Sequence, residues 1–250
     1  MHRVERKNLL LSYLCKNSFH EMNHVLDFVN DYEISSTTAR RDLKELEKEG
    51  IISMSYGGIH FLGLSNKACS IDLMHRNRNY DLKMIIANKA NELIEPNDVL
   101  FVGSGSTCEL FVSQITKPVK IVTNSLRILQ LAKDNPNVQY HVLFGGKLRD
   151  KSQSFYGSFC EESLSLIQFA KVIISASNVD EEGYVYKSNE EEGRVELAAL
   201  ARVQTKILLV DSTKFNSVGF FKFTSLPTFS NIVTDKPEVF QTIASPAKVI

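Results

Sequence analysis

Apolar positions follow two different rhythms along this chain. Over the first sixty residues they recur at helical spacing: Leu9, Leu10, Tyr13 and Leu14, then Val25, Leu26 and Val29 after a polar break, then a third run from Thr37 to Glu49. Gly50 is placed to stop that third helix, and Ile51 to Phe61 reads as two short strands around a Gly-containing turn. Residues 1–61 are therefore expected to form three helices and a hairpin. Residues 62–78 are polar with few apolar anchors and read as a connector. From Tyr80 onward short apolar runs alternate with helical segments. The runs are Val99–Val102, Val119–Val122, Val138–Phe144, Lys171–Ser175, Ile207–Val210 and Ile232–Val233, and helical stretches fall around Leu110–Ile115, Leu126–Ala132, Glu161–Phe169 and Glu196–Val203. Strands separated by helices predict a mostly parallel sheet covered on both faces, so residues 79–250 read as an α/β domain.

Length and composition agree with this division. At 250 residues, 43% of them hydrophobic, the chain can bury a sizeable core in one larger domain plus a small one. Lys+Arg and Asp+Glu both number 29, so a nucleic-acid surface has to arise from local sorting of charge rather than from overall excess. Cys15, Cys69, Cys108 and Cys160 are scattered, with no CxxC pair and no His cluster at metal-ligand spacing, which predicts reduced thiols and no metal. The apolar stretch Leu9–Leu11 is too short for a signal peptide and nothing approaches a membrane span, so a cytoplasmic protein without membrane contact is expected.

Charge is sorted most clearly on the third helix. With Ala39 at the origin of a wheel of about 100° per residue, Leu43 and Leu46 fall within roughly 40° of it and form the buried stripe. Thr37, Arg41, Lys44 and Lys48 gather on the opposite side, while Asp42, Glu45, Glu47 and Glu49 fall on the flanks. Ser35 or Ser36 can cap the helix, leaving Ser36, Thr37 and Thr38 beside free backbone amides that suit phosphate oxygens. Arg40, at the edge of the stripe, can reach backbone or base edges. An isolated helix of this kind is most often merely solvated. Two preceding helices and a Gly-Gly hairpin make it instead the second helix of a winged helix-turn-helix, which enters the major groove of duplex DNA. Ser36, Thr37, Thr38, Arg40, Arg41 and Lys44 are the expected DNA contacts.

The α/β region offers a second site. Strand Val99–Val102 runs into Gly103-Ser104-Gly105-Ser106-Thr107 and then a helix start, which places amides and hydroxyls around an anion. Alone, such a turn is as often simple chain reversal, and it lacks the Lys of a P-loop. Polar groups follow the other strands too: Thr123-Asn124, Gly145-Gly146-Lys147, Asp180, and Asp211-Ser212-Thr213-Lys214. In open α/β sheets ligands sit outside the carboxyl ends of the strands. Gly103, Ser104, Gly105, Ser106, Thr107, Asn124, Gly146, Asp180 and Lys214 are accordingly the candidate ligand residues.

The run Ser35 to Leu43, with Leu46-Glu47, Gly50-Ile51 and the wing Tyr56-Gly57-Gly58, resembles the signature of the DeoR family of bacterial transcriptional regulators. GSGST at 103–107, IVTNS at 121–125, FGGKLR at 144–149 and LLVDSTKF at 208–215 resemble the effector-sensing domain of the same family, and the resemblance covers nearly the whole chain. Ala39 departs from the usual Ile or Val, Met54 from a wing Arg or Lys, and Tyr56 from His. The resemblance implies a sensor domain similar in fold to ribose-5-phosphate isomerase and a phosphorylated-sugar effector. Gly105, Ser106 and Thr107 would hold its phosphate, Lys214 would add charge, and Asp180 and Asn124 would contact sugar hydroxyls. Through Ser175-Ala176-Ser177-Asn178 and the GSGST loop the similarity points to repressors of lactose phosphotransferase systems.

The expected function is thus a sequence-specific repressor of sugar-metabolism genes. It would bind double-stranded operator DNA as a homo-oligomer, dimer or tetramer, under control of a sugar phosphate and with no cofactor. One alternative is a sugar-phosphate isomerase with a DNA-binding-like appendage, for which Glu192 and Glu196, four apart on a helix, are the candidate bases. Another is a crevice that has lost its ligand and serves oligomerisation alone. The carboxylate pair expected in an isomerase turn is reduced here to Ser177-Asn178-Val179-Asp180, which favours binding without turnover. On that view the two glutamates are helix-surface residues or effector contacts.

Overall fold

The computed structural model describes residues 3–14, 17, 19–49, 51–55, 57–61, 78–241, 243 and 246–250. Gly50, Tyr56 and most of the expected connector, residues 62–77, lie outside these. The chain divides into two compact units, Met1–Tyr80 and Asp81–Ile250.

In the first unit, α1 (Arg3–Leu14) is followed by β1 (Phe19–Glu21), α2 (Met22–Asn30), α3 (Ser36–Lys48), β2 (Ile52–Ser55) and β3 (Gly58–Phe61). The expected hairpin is the antiparallel pair β2–β3, with Ile52 opposite Phe61. A third strand, β1, joins it in the order β1-β3-β2, Phe19 lying opposite His60. Three residues are too few for periodicity to reveal. Leu10, Leu14, Val25, Val29, Ala39, Leu43, Leu46, Ile52 and Ile59 close one core. Each large aliphatic side chain so buried is worth about 1.5–3 kcal/mol. Ala39 is fully buried in that core despite its small size.

The second unit carries a seven-stranded parallel sheet. It contains α4 (Tyr80–Glu92), β4 (Val99–Val102), α5 (Ser106–Ser113), β5 (Val119–Thr123), α6 (Leu126–Asp134), β6 (Val138–Leu143), β7 (Lys147–Arg149), β8 (Ser154–Tyr156), α7 (Ser158–Ser163) and β9 (Lys171–Ser175). There follow β10 (Asn178–Val179), β11 (Tyr184–Lys187), α8 (Glu190–Leu200), β12 (Thr205–Leu209), β13 (Phe221–Ser225), β14 (Asn231–Val233), α9 (Pro237–Gln241) and β15 (Lys248–Val249). The order in the large sheet is β15-β14-β12-β9-β4-β5-β6. Successive side chains of a strand point to opposite faces, so each central strand feeds two cores. Phe101, Val172, Ile174 and Leu208 belong to one, and Leu100, Val102, Ile173, Ile207 and Leu209 to the other. That explains why these strands read as unbroken apolar runs.

From β4 the chain winds outward through β5 to β6, then returns to the other side of β4 to lay down β9. The switch point lies between β4 and β9, where adjacent loops diverge and leave a crevice. Two antiparallel additions escaped the periodicity because their strands are short: the hairpin β7–β8 and the sheet β10-β11-β13. Among the described residues no helix is long and apolar enough to cross a membrane.

Candidate functional sites

Helix α3 begins where Ser35, in an extended conformation, accepts a hydrogen bond from the Thr38 amide at 3.3 Å. Ser35 is thus the cap and Ser36 the first helical residue. Ser36, Thr37, Arg40, Arg41, Lys44 and Lys48 are exposed and Thr38 is half-buried, so the six expected DNA contacts share the outward side of the helix. The acids of the same helix are held elsewhere. Asp42, 1% exposed, receives the Arg6 guanidinium at 2.8 Å. Arg3 holds Glu45 at 2.7 Å and lowers its pKa, chiefly by that hydrogen bond, and Lys7 holds Glu49. Glu47 accepts the Met54 amide of the wing at 2.7 Å.

Sequence reasoning counted Arg3, Arg6 and Lys7 among the bases and found no excess over acids. The fold pairs them off against α3, and among the described residues no carboxylate lies within ion-pair distance of Arg40, Arg41, Lys44 or Lys48. A near-neutral unit thereby presents a cationic, hydroxyl-bearing ridge. No spacing rule could reveal this, because the pairs join residues 36 and 42 apart in sequence.

In the second unit the turn 103–107 lies at the switch point. The Gly103 amide donates to the Ile173 carbonyl of β9 at 2.9 Å, and Ser175 Oγ donates to the Ser104 carbonyl at 3.3 Å. Both glycines are required here. A Cβ on Gly103 would stand 2.6 Å from Glu196 Oε1, and Gly105 has φ +118° with Ser175 Oγ 2.7 Å from where its Cβ would be. Gly105 is also the N-cap of α5 and offers no side chain to the helix start. The first intrahelical bond there runs from the Glu109 amide to the Gly105 carbonyl, so the amides of Ser106, Thr107 and Cys108 lie ahead of it. Ser104 and Thr107 are buried, and Ser106 is half-buried.

Register places Asn124 beside this turn, since Thr123 is opposite Val102. Asn124 is fully buried. Its Nδ2 donates to the Phe155 carbonyl at 2.8 Å, while Oδ1 has no hydrogen-bond partner among the described residues. The remaining candidates are more dispersed. Gly146 is exposed at the base of the β7–β8 hairpin, with φ +152°. Asp180 accepts the amides of Glu182 at 3.1 Å and Tyr184 at 2.8 Å and the Tyr186 hydroxyl at 2.8 Å, so both of its carboxylate oxygens organise the β10–β11 turn. Lys214 is half-buried in the short turn after β12, two strands from β4.

Glu192 and Glu196 are not helix-surface residues. Glu192 is 7% exposed and accepts Ser154 Oγ at 2.6 Å, Ser152 Oγ, and Arg149 at 3.3 Å, which fastens the β7–β8 hairpin to α8. Glu196, 1% exposed, faces Lys187 Nζ at 2.5 Å. Burial raises the Glu196 pKa, and Lys187 opposes that rise. Cys108, on the adjoining helix, is pushed up to about 12 by burial and stays a thiol. Lys83 also went unnoticed in the sequence. It lies on α4, 4% exposed, and its Nζ donates to Ser106 Oγ at 2.9 Å. The turn that lacked a P-loop lysine thus has one, contributed from upstream in the chain rather than from within the motif.

Among known protein families, the DeoR-like helix-turn-helix domain matches residues 6–63 and the DeoR C terminal sensor domain matches residues 78–236. The lactose phosphotransferase system repressor of Streptococcus mutans is 33% identical over 214 residues, covering 84% of this chain and 84% of its own. The repressor of the same name from Staphylococcus aureus strain NCTC 8325 is 30% identical over 241 residues, covering 94% of this chain and 93% of its own. Among solved structures, ribose 5-phosphate isomerase A of Methanocaldococcus jannaschii aligns with a TM-score of 0.41 at 19% identity, over 55% of each chain.

Proposed function

This chain belongs to the DeoR family of DNA-binding transcriptional regulators, and from that premise we propose that it represses sugar-metabolism genes, with a phosphorylated sugar controlling its hold on operator DNA. The observation that carries the reading is the sorting of charge on α3, where every acid is tied back and Arg40, Arg41 and Lys44 stand outward with Ser36 and Thr37. Recognition helices use such a face in two ways: hydroxyls and amides at the helix start hold phosphates, and long cationic side chains reach base edges. Membership in a regulator family, with repressors aligned over most of their length, answers the alternative of an isomerase.

The effector reading rests on the turn 103–107 at the switch point and on the unpartnered Asn124 oxygen beside it. Phosphate would sit on the turn and the start of α5, a sugar hydroxyl would meet Asn124, and Gly146, Asp180 and Lys214 would border the crevice. Two cytoplasmic protomers reading paired half-sites would make up for the modest charge of each head. An effector changes DNA affinity only by its different affinity for the DNA-bound and free arrangements. The test is to titrate the chain onto a duplex it selects from a random pool, with and without a panel of sugar phosphates. At least one should shift the operator dissociation constant by about 5–150-fold. If none shifts it, and none raises the melting temperature, the sensor reading is wrong.

A further inference from the structure

A phosphate resting only on amides and hydroxyls would bring close to two negative charges beside the buried carboxylate of Glu196, which adjoins Gly103. A cation in reach of the same turn is needed to offset this. Lys187 is engaged with Glu196 at 2.5 Å. Lys214 follows β12, and β9 stands between β12 and β4, so two inter-strand steps of about 4.8 Å each separate it from the turn. Lys83 is already there, donating to Ser106 Oγ at 2.9 Å from a side chain that is almost wholly buried. Because that oxygen accepts from the ammonium, the Ser106 hydroxyl proton is left to point outward. Amine, hydroxyl and the amides that open α5 then form one set of donors around a single position. The unpartnered Oδ1 of Asn124, beside Gly103, independently marks the same place as one that wants a donor from outside the chain.

We propose that Lys83 is the cation that receives the effector's phosphate, working through and beside Ser106. This rests on the sugar-phosphate reading above and adds to it the residue that supplies the charge. A charge-assisted contact of this kind is roughly twice as strong as a neutral one, and Lys is suited to it as a compact point charge. Because α4 is the first helix of the second unit in chain order, Lys83 also lies four residues from the boundary at Tyr80 and Asp81.

The experiment titrates inorganic phosphate into the full-length chain at constant ionic strength, followed by ³¹P line broadening and by melting temperature, for wild type, Lys83→Met, Lys83→Arg and Ser106→Ala. Wild type should bind, Lys83→Met should bind at least about tenfold more weakly, and Lys83→Arg should stay within about threefold of wild type, as loss and retention of a charge-assisted contact require. Ser106→Ala should weaken binding less than Lys83→Met does. Should Lys83→Met fail to fold, the pair Lys83→Arg and Ser106→Ala decides: retained binding in the first with weakened binding in the second supports the assignment, and equal binding in both overturns it. A folded Lys83→Met that binds phosphate like wild type overturns it directly. If the wild type binds neither phosphate nor any sugar phosphate, the sensor reading fails first and the assignment falls with it.

Discussion

Asp42 and Glu196 are both nearly inaccessible carboxylates, and their surroundings give them opposite consequences. Asp42 has a guanidinium at 2.8 Å, and the pair fixes α1 against the helix that meets DNA. Asp42→Asn leaves Arg6 without its counter-charge and should cost about 3 kcal/mol, near the lower end for breaking a buried ion pair. Urea denaturation of the two proteins measures this, and a change below about 0.5 kcal/mol would place the pair among surface contacts. Glu196 is held above the ordinary carboxylate value of 4.5 because burial disfavours its charge. The native state therefore retains a proton there that the unfolded state has released. Stability attributable to Glu196 is present at acid pH and declines as pH rises from 4.5 through the raised value. Glu196→Gln should flatten that decline in denaturation curves recorded across the interval, and an unchanged slope would contradict it.

At the scale of elements, local chemistry sets both sites. Ser35→Ala removes the α3 cap and should lower stability by about 1 kcal/mol, seen as a reduced denaturation midpoint. Gly105→Ala forces a Cβ into a left-handed backbone with Ser175 Oγ 2.7 Å away, a cost of about 1–3 kcal/mol, and should abolish phosphate binding even where the protein still folds. The elements most legible in the sequence were those with long, one-sided or doubly buried patterns. The buried stripe of α3 and the central strands β4 and β9 fall where periodicity put them, because burial on a defined face leaves a repeat to read. What escaped was short or held together from a distance. β1 has three residues and β10 two, too few for a period. Lys83 meets Ser106 across 23 residues, and Arg149 meets Glu192 across 43, so neither pairing leaves a local trace. Glu192 and Glu196 read as surface glutamates because charge normally means solvent. Only Arg149, Ser152, Ser154 and Lys187, brought in by other elements, make their burial tolerable.

For the whole molecule, overall neutrality conceals a division of labour. One unit shields its own acids with its first helix and so exposes cations, and the other gathers donors at a sheet switch point, where a small anion can be recognised. The exposed ridge is the central claim, and its most direct test is the salt dependence of binding to a duplex selected by the wild-type chain, compared between wild type and Arg41→Ala. Each phosphate-contacting cation contributes about one to the slope of log affinity against log salt. Arg41→Ala should bind more weakly, with a slope shallower by up to about one and with phosphate affinity of the second unit unchanged. Equal affinity and equal slope at every salt concentration would show that this face of α3 does not meet DNA.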